Sequence, residues 1–153
     1  MNPIPFRQGD LDRLSGLYSL LNAYYALLWT EPRSLFRGMF RDAISWLHTR
    51  RELDSAISSG ITVSLLMELN QGAFRQVSCK FTLSRPLHRR TRLNMYDFLN
   101  FVDRFARPPQ SVVMLYHGNC LARRWTTVTG IGLDKLLLFD STGENHIFPQ
   151  RYG

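Results

Sequence analysis

What most restricts this chain is a change in the period of its apolar residues. From about Gly16 to Trp29, Leu17, Leu20, Leu21, Tyr24, Leu27 and Leu28 recur at helical spacing. The segment is apolar on most sides, which predicts a buried central helix. Ser15 stands just before it, where a hydroxyl can accept a bond from an orphan amide of the first turn, so Ser15 is the expected N-cap. From Ser34 to about Arg51, Leu35, Phe36, Met39, Phe40, Ala43, Ile44 and Leu47 form one apolar stripe, with Arg37, Arg41 and Asp42 elsewhere. Trp46 lies on the other side, a first place to look for a protein interface if it is exposed. His48 falls near the end of this helix, where a cation is favourable. An extra turn is expected around Leu53 to Ile57. Gly60 then breaks the pattern, and Thr62 can cap a short helix carrying Val63, Leu65, Leu66 and Leu69.

Beyond that point the period shortens. Val77, Cys79, Phe81 and Leu83 alternate with polar residues, which predicts a half-buried strand ended by Pro86. One more helix is signalled, capped by Asn94, with Met95, Phe98, Leu99, Val102 and Phe105 on its buried side; Pro108-Pro109 must stop it, because neither can donate a backbone bond. Ser111 to Tyr116 is a short apolar run, Trp125 to Ile131 alternates, and Lys135 to Asp140 is apolar again after a turn at Gly132-Leu133-Asp134. Helices followed by such an antiparallel meander argue an α+β fold, with the first helix packed on the sheet. The 153 residues match one ordinary domain and contain no linker, so residues 1–153 are expected to share one core.

Composition removes several function classes. Met1 to Asp12 lacks the apolar core of a signal peptide, and no stretch approaches the roughly 20 apolar residues of a membrane span, which leads to the expectation of a cytoplasmic protein. Cys79 and Cys120 give neither a zinc spacing nor a disulfide framework and are expected as reduced thiols. The four histidines are scattered, so no metal site is expected, and no cofactor motif is present. Thr129-Gly130-Ile131-Gly132 leads into a strand instead of a helix, the wrong context for a nucleotide. The formal charge of +7 comes almost wholly from arginine, since Lys80 and Lys135 are the only lysines. Such a balance attracts nucleic acid or an acidic partner without specifying either. The densest cluster, Arg85, Arg89, Arg90 and Arg92, has no aromatic ladder and reads first as a solvated loop.

The segment from Gln8 through Ser15-Gly16 to Asn22 resembles the nucleophile motif of papain-like cysteine peptidases, particularly small bacterial enzymes related to bacteriocin-processing peptidases. Those have Cys-Gly where Ser15-Gly16 stands. In that family the cysteine begins the central helix, whose amino-terminal dipole favours a thiolate, and an upstream glutamine, matched by Gln8, supplies an oxyanion-hole donor. The resemblance continues at Arg124-Trp125, where the family has His-Trp at the start of a strand, and at Asp140 on the next strand, where an Asp or Asn orients the imidazole. It runs in order along nearly the whole chain. It implies a papain-like arrangement, with a central amino-terminal helix packed on a carboxy-terminal antiparallel sheet and the extra helices on one side.

Two of the three catalytic letters have changed. A serine hydroxyl hardly ionises near neutral pH and works as a nucleophile only beside a base. A guanidinium, with a pKa above about 12, cannot accept a proton, so Arg124 removes general-base function. Losing members of such a unit costs on the order of 10⁶ in turnover. Two placements of Arg124 are open: paired with Asp140 across neighbouring strands, or pointing into solvent. The leading expectation is a catalytically inactive homologue, a pseudoenzyme whose cleft, lined by Gln8, Ser15, Trp125 and Asp140, binds a protein or peptide as an adaptor or regulatory subunit. The alternative is a hydrolase or acyltransferase with Ser15 as nucleophile and His117 or His146 recruited as base. A basic nucleic-acid-binding module comes third, on charge alone.

Overall fold

The computed structural model describes residues 4–9, 12–85, 93–118, 123–133 and 135–148. Among the described residues, six helices precede a four-stranded antiparallel sheet. The helices are α1 (Ser15–Leu27), α2 (Arg33–Thr49), α3 (Leu53–Ser59), α4 (Val63–Gly72), α5 (Arg75–Ser78) and α6 (Met95–Phe105). The strands β1 (Val113–Gly118), β2 (Arg123–Ile131), β3 (Leu136–Leu138) and β4 (His146–Ile147) pair in sequence order. The expected α+β class and antiparallel meander are present; β4, too short to show a period, had not been anticipated. The Gly132-Leu133-Asp134 turn lies partly outside the described residues, but Gly132 N donates to Lys135 O at 2.7 Å and closes its start.

Strand alternation divides the core in two. Trp125 and Phe139 face α1, and Thr127 Oγ1 donates to the Ser19 carbonyl at 2.7 Å on the same face. Val128, Leu136 and Leu138 face the other way, onto Val102 and Ala106. The larger cluster joins α1 to Phe36, Met39, Ala43 and Leu47 of α2 and to Leu66 and Leu69 of α4. The extra helices are therefore not all on one side, as the family resemblance implied. α6 covers the far face, because the apolar side chains there require a cover of their own. α1 is central and buried along most of its length, as its all-round apolarity predicts. It comes closest to β2 at Gly16, where an added Cβ would lie 2.9 Å from Ile61 Cβ and 3.1 Å from Trp125 Cδ1.

Several local readings hold. Thr62 Oγ1 accepts from Leu65 N at 3.2 Å and caps α4, and Asn94 Oδ1 accepts from Asp97 N at 2.8 Å and caps α6. Gly60, with φ of +89°, turns the chain between α3 and α4 in a backbone conformation that favours glycine. α6 ends at Phe105, before Pro108-Pro109. His48 sits in the last turn of α2.

Others are corrected. Val77 to Leu83 is no strand: α5 and a turn occupy it, and Cys79 is an exposed free thiol. Phe74, Val77 and Phe81 also stand at i, i+3 and i+7, and the core selects that helical period: Phe74 is fully buried and both phenylalanines pack edge-on against Tyr24. Phe105 is exposed, one step off the stripe that Val102 centres. Ser15 is the first residue of α1 and not its cap; Leu14 holds that place with no side-chain bond. Trp46 is no bare interface, since the Arg50 guanidinium lies 4.5 Å over its ring and Gly72 is packed beneath it. Cys120, Arg89, Arg90 and Arg92 lie outside the described residues, while Arg85 is exposed in an irregular stretch. None of the described helices is long and apolar enough to cross a membrane.

Candidate binding cleft at the amino end of α1

The sheet makes room for the site by leaving the start of β2, paired with β1 on one edge, without a strand neighbour on the other. β3 pairs with β2 only from Val128 onward, after which the chain passes from Phe139, whose amide bonds Thr127 O at 2.9 Å, into the turn at Ser141. The amide of Trp125 is thereby left with no strand carbonyl on that side. It donates instead to Ser15 Oγ at 3.2 Å. The hydroxyl that the sequence suggested as a helix cap thus satisfies a strand amide, in a buried position. The Trp125 indole Nε1 reaches the opposite wall, donating to Ile61 O at 2.9 Å.

Around this junction lies an open cleft of about 740 Å³. Gln8, Gly9, Asp12, Arg13 and Ser15 form its amino-terminal side and Ser59 to Val63 its helical wall; Tyr116, Arg123, Arg124, Trp125 and Thr142 form the sheet wall. Four of the residues expected at the site, Gln8, Ser15, Arg124 and Trp125, therefore come together. Gln8 is held from two sides: its backbone amide bonds Ser141 O at 2.9 Å, and its side-chain amide donates to the Asp12 carbonyl. The second bond engages a group that an oxyanion hole would need free.

Asp140 does not line the cleft. It is 1% exposed, and its Oδ2 accepts from Thr142 N at 2.8 Å and Thr142 Oγ1 at 2.5 Å, a local turn in which the carboxylate serves its own backbone. Arg124 meets neither of its two expected fates. Its guanidinium pairs with Glu144, in the turn that follows Asp140. Among the described residues, Arg124 Nε, Asp140 Oδ1 and His117 Nε2 are buried polar atoms without a hydrogen-bond partner.

His117 is the register partner of Arg124 across β1 and β2, so the two side chains share a sheet face. Burial lowers its pKa from the ordinary 6.5, and the Arg124 charge lowers it further, against the opposing pull of Asp140 and Glu144. The imidazole is therefore neutral near pH 7. Neither His117 nor His146 lines the cleft, and the described hydrogen bonds of Ser15 Oγ contain no imidazole. His146 is exposed on β4, packed edge-on against Phe148.

Sequence reasoning missed Arg13, Tyr116, Arg123 and the Ser59–Val63 wall. Tyr116 carried a usable signal: it alternates with the apolar residues of β1 and stands opposite Trp125, with ring centroids 5.1 Å apart. Among the described residues no cluster of metal-ligating side chains occurs. Comparison with protein-family profiles, curated proteins and solved structures finds no match to this chain.

Proposed function

We propose that the chain is a catalytically inactive relative of the papain-like peptidases that holds a polypeptide in the cleft at the amino end of α1. The observation that carries this reading is the state of Ser15. Ser15 begins the central helix and lines a peptide-sized cleft, yet its hydroxyl is engaged by the Trp125 amide, and the described residues lining that cleft include Arg124 and no imidazole. A hydroxyl with no base beside it does not attack a carbonyl at a useful rate. What remains is a concave site with an aromatic floor and polar walls, suited to holding a chain segment without cutting it.

The test has two arms. The purified protein is treated with a fluorophosphonate probe beside a Ser15→Ala variant, and in parallel a displayed peptide library is panned on it, with Tyr116→Ala as control. We expect no serine labelling, and peptides retained by the wild type but several-fold less well by Tyr116→Ala. Labelling that disappears in Ser15→Ala would establish a serine hydrolase with a recruited base and end the pseudoenzyme reading. A library that yields no retained peptide would remove its binding half.

A further inference from the structure

The arginines of the cleft are distributed in a way that selects its occupant. Arg13 lies on the amino-terminal side and is tied to the α3 end of the helical wall: its amide bonds Ile57 O at 3.0 Å, and its carbonyl lies 3.5 Å from where a Cβ on Gly60 would sit. Arg123 begins β2 on the opposite, sheet wall. Both side chains are exposed, and neither is paired with a carboxylate among the described residues. Arg124 is already neutralised by Glu144. Asp12, the only carboxylate lining the cleft among the described residues, accepts the Leu14 amide at 2.9 Å. Among the described residues the cleft therefore carries two arginines, Arg13 and Arg123, that no carboxylate pairs, and the partly positive amino end of α1 adds to their charge.

We infer that the polypeptide bound in this cleft is one that presents a carboxylate, from an Asp or Glu side chain or from a free carboxy terminus, to Arg13 and Arg123. The inference rests on the peptide-binding reading above and narrows it. Guanidinium forks match a carboxylate in geometry, and bonds to ionised groups are roughly twice as strong as neutral ones. Two arginines lining one cleft offer their guanidinium forks to an anion held there. A phosphate backbone asks instead for a continuous basic track, and here Asp12 and Glu144 interrupt any such track. The overall charge of +7 favours encounter with an acidic partner at low salt.

The experiment uses the full chain. Peptides recovered from the library are sequenced, and the best is synthesised in four forms: unchanged, with its acidic side chains replaced by amides, with an amidated carboxy terminus, and with both changes. Each is titrated by fluorescence anisotropy against the wild type, Arg13→Gln and Arg123→Gln. Far-UV circular dichroism checks that the variants, altered only at exposed side chains, remain folded. We expect acidic residues or a common carboxy terminus to be enriched. One of the two carboxylate sources should account for a loss of roughly tenfold or more on neutralisation. Each arginine variant should erase most of that difference while binding the doubly neutral peptide as the wild type does. The two amidation arms separate side chain from terminus. Retained peptides whose affinity is indifferent to both would overturn the inference and leave peptide binding standing, whereas failure to retain any peptide would remove both. A single-stranded oligonucleotide that binds more tightly than every peptide, with the same dependence on Arg13 and Arg123, would also overturn it.

Discussion

At the scale of single residues, His117 is where the chemistry of the sheet end is most exposed to conditions. Its neighbours in the fold are Arg124, which opposes a positive imidazole, and Asp140 and Glu144, which favour one; burial and the arginine prevail, and the pKa falls below 6.5. The unfolded chain then binds a proton that the native state refuses between the ordinary value and the lowered one. The contribution of this group to stability is fully present above about pH 6.5 and is lost as pH falls through the native pKa. Urea titrations between pH 7.5 and 5 should show the wild type losing stability on acidification, and His117→Asn losing measurably less. Equal losses in the two would place the sensitivity elsewhere. At this scale the sequence was partly legible. Gln8, Ser15, Arg124 and Trp125 were named together by the resemblance to papain-like peptidases, and the fold gathers them in one cleft. The partner of Arg124 was not legible, because Glu144 reaches it through a turn whose path depends on where β3 stops and no apolar period records that.

Among the elements, the helix caps behave as their letters predict and offer a clean measurement. Thr62→Ala removes the acceptor for the Leu65 amide, and Asn94→Ala the acceptor for the Asp97 amide. Each should cost about 1 kcal/mol, read as a lower urea midpoint with an unchanged slope. A change under a few tenths in both would mean that water replaces the caps at no cost. Caps are readable because their cause is local: one side chain, three residues, one amide. The segment at Val77 to Leu83 shows the opposite case. Its letters satisfy a period of two and also place Phe74, Val77 and Phe81 on one helical side. Only the distant Tyr24 ring, against which both phenylalanines pack, decides between them. Tyr24 is itself fixed by a 2.5 Å bond from its hydroxyl to Asn70, and burial pushes its pKa up to about 12. Such a choice is made by tertiary contact, and short apolar runs do not reveal it.

On the scale of the molecule, one sheet separates two apolar clusters of unequal size, and the smaller depends on α6. Val102 is fully buried there against the far face of β2. Val102→Ala should destabilise by about 2 kcal/mol. If the sheet couples both clusters into one cooperative unit, tryptophan fluorescence, to which Trp125 and Trp46 report from the larger cluster, and far-UV circular dichroism should shift their midpoints together. Separate midpoints would show the α6 layer melting by itself. The order of helices and strands made the α+β class readable, but the side of the sheet that α6 covers was not. A stripe centred on Val102 fits either face, and the choice is made by Val128, Leu136 and Leu138 pointing away from α1.

Trp125 has one further consequence. Through its amide it is tied to the start of α1, and through its indole to the carbonyl of Ile61, so one residue fastens both banks of the cleft. A cleft bridged in this way keeps its width only while both bonds hold. The separation of its walls is thus keyed to one amide and one indole.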